Sequence, residues 1–130
     1  MVVALDPASV DVVRVSVAAL SDRVKVFVAG GVGGEPAVVS DLEGNPFDAQ
    51  EVLEGSDMAV LVASADDSVQ SAVSLGRLCQ SMGVTVAGVI VGDQDDPPRA
   101  VLAELRRFSH LVLVSAGADD LGEVLLALRV

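Results

Sequence analysis

Residues 55–91, GSDMAVLVASADDSVQSAVSLGRLCQSMGVTVAGVIV, decide the fold of this chain. Residues 58–63 form a continuous apolar run of strand length. Residues 64–68, Ser-Ala-Asp-Asp-Ser, are turn and helix-cap chemistry, and residues 69–82 carry apolar side chains at helical spacing. Gly83 ends that helix, and residues 84–91 run apolar again. Strand, helix, strand with two predominantly apolar strands is a βαβ unit, whose strands pair in parallel through a right-handed crossover. The turn between its first strand and its helix lies where open α/β sheets place ligands.

Composition extends the same reading to the whole chain. The 130 residues suffice for one domain with a real core. Of these 52% are hydrophobic, yet only three are Phe and none is Trp or Tyr, so Val, Leu, Ala and Ile build the interior. Val-rich continuous runs suit strands buried on both faces. No apolar run approaches the roughly 18 residues of a membrane span, and no basic-then-apolar segment opens the chain, so a cytoplasmic location is expected. A single cysteine, Cys79, excludes an internal disulfide and a cysteine-cluster metal site. The net charge is −11, and Lys25 is the one lysine. Such a surface repels nucleic acid and anionic membranes. Solubility or salt adaptation accounts for the charge more simply than a dedicated cation-binding role.

Outward from the central unit, residues 1–5 read as a first strand. Asp6-Pro7 then starts a helix, with Asp as cap and Pro at the first helical position. Val10, Val13, Val17 and Leu20 continue it at helical spacing, although the near-alternation of Val10, Val12, Val15 and Val17 also suits a strand. Residues 24–29 form a second strand, whose Arg23 and Lys25 suggest an exposed or edge beginning. Residues 37–42 suit a short helix or a short strand, and residues 43–46 a turn. Residues 48–51 spell a capping box, with Phe47 placed to staple against Val52, so a short helix runs over 49–54. Asp96-Pro97 repeats the Asp-Pro helix start, with Val101, Leu102, Leu105 and Phe108 as a buried stripe. A fifth strand over 110–115 and a last helix over 121–128 complete the pattern. The expected architecture is a single three-layer αβα, Rossmann-like domain with a mainly parallel five-stranded sheet and helices on both faces.

The carboxyl ends of those strands gather Asp6, the loop Gly30-Gly31-Val32-Gly33-Gly34, residues 64–68, residues 92–96 and residues 115–120. Two ligand readings arise there. The glycine loop permits close backbone approach to a phosphate, which makes Gly30, Gly31, Gly33, Gly34, Ser64, Ser68, Ser115 and Gly117 candidates for holding a nucleotide. The loop fits neither G-x-G-x-x-G nor a P-loop, and a flexible turn accounts for it as well. Asp66, Asp67 and Asp93 are candidate ligands for a Mg²⁺ ion, since carboxylates suit hard cations. Capping of the adjoining helices is the simpler account of Asp66, Asp96, Asp119 and Asp120.

Catalytic constellations are nearly absent. His110, the only histidine, starts a strand on the edge opposite the expected site. Cys79 lies within a helix beside Leu75 and Leu78, a packed rather than a reactive setting. A receiver-domain arrangement fails, because its lysine belongs at a strand end and Lys25 stands at a strand start. Arg99, Arg106 and Arg107 read as helix-surface charges. The balance favours a chain that is not an enzyme.

The stretch Glu51-Val-Leu-Glu-Gly-Ser-Asp-Met-Ala-Val-Leu-Val-Ala63 resembles the segment leading into the phosphate loop of the FtsZ/tubulin family, an acidic helix ending in Gly-Ala-Asp-Met before an apolar strand. Leu78-Cys-Gln-Ser-Met-Gly-Val-Thr-Val-Ala-Gly-Val-Ile-Val91 looks like that family's next helix end and strand. Residues 99–114 fit the helix and strand after it, and residues 24–34 resemble the family's first strand and glycine loop. The resemblance covers about half the chain and implies a Rossmann-like GTPase scaffold. Where the family has G-G-G-T-G-T-G, however, this chain has Ser64-Ala-Asp-Asp-Ser-Val-Gln70. Carboxylates replace the backbone N–H cradle there and would repel a triphosphate unless a cation intervened. The resemblance therefore implies either a truncated, degenerate relative or an ordinary Rossmann-like domain that shares the pattern, and in neither case is GTP hydrolysis expected. The leading expectation is a non-catalytic domain acting through a protein partner or as a homo-oligomer. The alternative is a nucleotide- or small-molecule-binding module that uses the glycine loop and a metal ion at the acidic strand edge.

Overall fold

Seven strands line up in one mostly parallel sheet, in a computed structural model that describes residues 1–18, 25–29, 38–66, 69–92, 95–115 and 123. The elements are β1 (Val2–Ala4), α1 (Pro7–Ala18), β2 (Val26–Ala29), β3 (Val38–Asp41), β4 (Pro46–Asp48), α2 (Ala49–Glu54), β5 (Met58–Ala63), α3 (Val69–Met82), β6 (Thr85–Val91), α4 (Arg99–Phe108) and β7 (Leu111–Ser115). The sheet order is β4-β3-β2-β1-β5-β6-β7. Strands β2, β1, β5, β6 and β7 are parallel, whereas β3 pairs antiparallel with β2 and with β4. This α/β arrangement is compatible with a Rossmann-like fold.

The central unit has the expected form. Ala59–Ala63 and Val86–Val91 are buried throughout, as strands covered on both faces must be. Met58 pairs with Thr85 and the register holds through Ala63 and Ile90. Gly83 ends α3 with φ +73°, a backbone conformation that glycine adopts without steric cost. Residues 7–18 are helical: Val13 is fully buried while Val15 is 63% exposed, so the three-residue spacing of Val10 and Val13 prevails over the alternation that suggested a strand.

The expected five strands become seven, because residues 38–48 form a hairpin. Val38–Asp41 is a strand with one fully buried residue, Val39. Asp41 shapes the turn: its Oδ1 accepts from the N–H groups of Glu43 and Asn45, both at 2.9 Å, and Gly44 takes φ +92°. Pro46 opens β4, which it can do at a sheet edge where no ladder donor is needed. These strands are too short to print an apolar run. The hairpin also places β2 inside the sheet, not at its edge, although Lys25 before it is exposed. The ring of Phe47 meets Phe27 of β2 edge to face, with centroids 5.8 Å apart. Asp48 caps α2 by accepting from the Gln50 N–H at 2.9 Å.

Two buried clusters occupy the two faces of the sheet, as the alternation of strand side chains requires. Val13 of α1 joins Val2, Ala4, Val60, Val62, Ala87, Val89 and Val91 in one. Leu53 of α2, Leu75 and Cys79 of α3 and Leu105 of α4 join Val3, Leu61 and Ile90 in the other. The last helix expected over 121–128 lies outside the described residues apart from Glu123, which is helical. Among the described residues no helix is long and apolar enough to cross a membrane.

Candidate functional site at the strand switch point

From β1 the chain moves one way across the sheet to β2, and it then returns to place β5 on the other side of β1. Strand order reverses between β1 and β5, and the crevice beyond their carboxyl ends is where this architecture places ligands. Asp6 and Ser64, the residues just past those two ends, meet there.

Asp6 is 5% exposed, and its carboxylate receives four hydrogen bonds. Oδ1 accepts from the Ser9 N–H at 2.9 Å and from the Ser64 hydroxyl at 2.5 Å. Oδ2 accepts from the N–H groups of Ser64 at 2.7 Å and Ala65 at 3.2 Å. One of these bonds is the local cap of α1. The Ser9 hydroxyl answers it by accepting from the Asp6 N–H at 3.3 Å, a capping box with serine in place of Glu. The other three are tertiary and tie the start of α1 to the turn after β5. Burial pushes the Asp6 carboxyl up, but the Ser64 hydroxyl and the N–H groups of Ser64, Ser9 and Ala65 outweigh it, and its pKa lies below the ordinary value. The ionised form is therefore the one this site holds.

The turn after β5 makes a second long-range bond set. Asp66 Oδ1 accepts from the N–H groups of Ala100 at 3.0 Å and Val101 at 3.1 Å, in the first turn of α4. Asp66 thus caps α4, 34 residues further along the chain. The expected Asp96-Pro97 start is displaced accordingly. Pro98 stands at the cap position of α4 with no side-chain bond to give, and Arg99 is the first helical residue. Asp66 supplies across space what Pro98 cannot. Beside it opens a cleft of about 420 Å³ lined by Ser64, Asp66, Asp96, Pro97, Pro98 and Arg99.

Of the candidate ligand residues, Ser64 and Asp66 stand on adjoining parts of this edge, and both already hold protein partners. Ser115 ends β7, the third strand across from Asp6. Gly30, Gly31, Gly33, Gly34, Ser68, Gly117, Asp67 and Asp93 lie outside the described residues. Among the described residues no three His, Cys, Asp or Glu side chains cluster as a metal site would require. Asp6 was legible as a helix cap on this strand-end edge, but not as the acceptor that ties its parts together. Three of its four donors come from 58 or 59 residues away, a distance at which the sequence prints no signal.

The remaining chemical candidates stand elsewhere. His110 is exposed at the amino end of β7, on the opposite edge, as its position at a strand start predicts. It lines a cleft of about 470 Å³ with Gln80, Thr85, Arg107 and Ser109 among others. Cys79 is wholly buried, and burial pushes its thiol up to about 11. No protein-family model matches the chain, and comparison with curated proteins and with solved structures gives no match.

Proposed function

We propose that the chain is a non-catalytic, Rossmann-like αβα domain that acts through protein contact, with a protein partner or with further copies of itself, and that it is a degenerate relative of the FtsZ/tubulin-like scaffold. One observation carries the first part. The N–H and hydroxyl donors at the switch point, which in a ligand-binding domain would face the ligand, are taken up by the chain's own Asp6 carboxylate. Negative charge already fills the place where a phosphate would sit, and a second anion there would meet strong repulsion in a half-buried setting. The stretches 51–63 and 78–91 support the second part.

A thermal-shift series with GTP, ATP, NAD and flavins, each with and without Mg²⁺, tests the proposal together with light scattering over a range of concentration. The expected result is no ligand-dependent stabilisation, and a mass that grows with concentration or with added partner. A saturable shift with any one nucleotide would overturn it.

A small-molecule-binding module is the second reading. The open cleft beside Ser64, lined by Arg99 as well as by Asp66 and Asp96, favours it. A nucleotide bound there would need Mg²⁺ to offset the carboxylates, so a shift seen only with the metal present would select this reading.

A further inference from the structure

We propose that the donor set around Asp6 is a built site for a small planar oxyanion, which the chain occupies with its own carboxylate, and that it takes up an external carboxylate such as formate once that side chain is removed. The inference stands whichever reading of the function holds, because it concerns the donors and not what the domain contacts.

Three features define the chemistry. The donors arrive in two pairs, one pair on each oxygen, at 2.9 and 2.5 Å on Oδ1 and at 2.7 and 3.2 Å on Oδ2. Two oxygens sharing four donors is the pattern of a carboxylate and not of a tetrahedral oxyanion. The donors belong to separate pieces of the fold: Ser9 lies in the first turn of α1, while Ser64 and Ala65 lie in the turn after β5. Those backbones are held by other means. Leu5 N–H donates to the Val62 carbonyl at 2.7 Å, and β1 and β5 pair in register up to Ala4 and Val62. Loss of the Asp6 side chain therefore leaves the strand ends paired while the Ser64 hydroxyl and the N–H groups of Ser9, Ser64 and Ala65 lose that acceptor. Hydrogen bonds to an ionised oxygen are stronger than those to water, so donors set around a carboxylate favour an anion over the water that the open cleft admits.

There is also a way in. Ser64 and Ala65 are half-buried, and Ser64 lines the open cleft whose wall carries Arg99. Of the two carboxylates that line it, Asp66 has Oδ1 turned to the N–H groups of α4. A small monoanion can enter by this path, whereas the overall negative charge disfavours larger polyanions.

The test compares the full chain with Asp6→Gly and Asp6→Asn. Glycine keeps most of the capping ability for α1 and vacates the site; asparagine fills it with a neutral amide of the same shape. Each protein is melted in increasing sodium formate and in sodium sulfate, with ionic strength matched by sodium chloride. The expected result is a saturable stabilisation of Asp6→Gly by formate that neither the parent chain nor Asp6→Asn shows, and no comparable gain from sulfate. At ten times its dissociation constant formate raises the folding constant of that variant about elevenfold. The amide resonances of Ser64 and Ala65 in Asp6→Gly shift along the same titration. Equal effects of formate on all three proteins, or a response of those amides to sulfate as large as that to formate, would overturn the proposal. Should Asp6→Gly not fold, Asp6→Ser, which keeps the α1 cap, takes its place; no formate-dependent gain in that variant overturns the proposal as well.

Discussion

Gly76 of α3 lies against the ring of Phe108 at the end of α4, so closely that a Cβ on Gly76 would stand 2.5 Å from the ring Cγ and 2.9 Å from the Phe108 Cβ. The atoms it would meet are at the root of the side chain and not at a flexible tip. Rotation of Phe108 cannot relieve the overlap, so the two helices would have to part. Gly88 in β6 receives the same helix: a Cβ there would stand 3.2 Å from the Leu105 Cβ. Helix α4 is thus seated on two positions that have no side chain.

Gly76→Ala is expected to destabilise the fold. Overpacking costs about 1–3 kcal/mol, while replacing glycine by alanine within a helix returns about 1 kcal/mol. A urea titration should give a net loss of up to about 2 kcal/mol by the same reckoning. In a Phe108→Ala background the overlap with the ring is removed and only the 2.9 Å approach to the Cβ at position 108 remains, so the same substitution should cost clearly less. An unchanged loss in that background would show that Phe108 is not what Gly76 accommodates.

Asp66→Ala should cost about 1 kcal/mol, because the Ala100 and Val101 N–H groups lose their acceptor and Pro98 offers no substitute. Asp66→Asn keeps an acceptor oxygen and should retain most of the stability. Hydrogen exchange at Ala100 and Val101 locates the effect: faster exchange there, with α3 unchanged, identifies the cap as belonging to α4.

Acid stability follows from the Asp6 hydrogen bonds. Its pKa is depressed in the folded chain below the ordinary 3.8, so the folded state favours the ionised form. The corresponding stability is fully present above pH 3.8 and is lost as the pH falls through the lower folded value. Asp41 is held below 3.8 as well, by the Asn45 side chain and backbone N–H groups of its turn, but it is only half-buried, in a turn open to solvent. The acid limb should therefore flatten clearly in Asp6→Asn and little in Asp41→Asn, as measured by denaturant midpoints over the acid range. Equal flattening in the two variants would mean that the buried bonds of Asp6 do not set the acid limb.

The β5-α3-β6 unit was legible because its signals are local. Two apolar runs, a cap-rich turn and Gly83 fall in consecutive positions, and parallel pairing follows from the helix between the strands. The β3-β4 hairpin was not. Val38–Asp41 buries one side chain fully, and the residues that shape its turn, Asp41 and Gly44, also suit a loop between helices. The candidate site was legible as an edge but not as a set of bonds. Ser64 and Asp66 do stand on that edge, yet what each holds depends on register across the sheet: Ser64 reaches Asp6 because Ala4 pairs with Val62, two residues before Ser64. Asp66 is a cap, as its chemistry suggests, and the bonds it makes to α4 could not be read in advance, since a cap formed through space leaves no spacing in the sequence.

Cys79 gives a direct measure of the fold's opening. It is fully buried in the cluster formed with Leu75, Leu105 and Val86, and burial raises its thiol to about 11 from 9.0. A thiol reagent near neutral pH should thus react with the native chain only as it opens, at least about a thousandfold more slowly than in denaturant if opening there is global. The sign of its linkage to pH is opposite to that of Asp6. Folding holds the neutral thiol, so the contribution is complete below pH 9.0 and is lost as the pH rises towards 11. Cys79→Ala removes that ionisation while leaving a small cavity. Its stability should be lower than the parent's at neutral pH, and the gap should narrow above pH 9.0. A gap that stays constant up to pH 11 would mean that the thiol ionises as readily inside the fold as outside it.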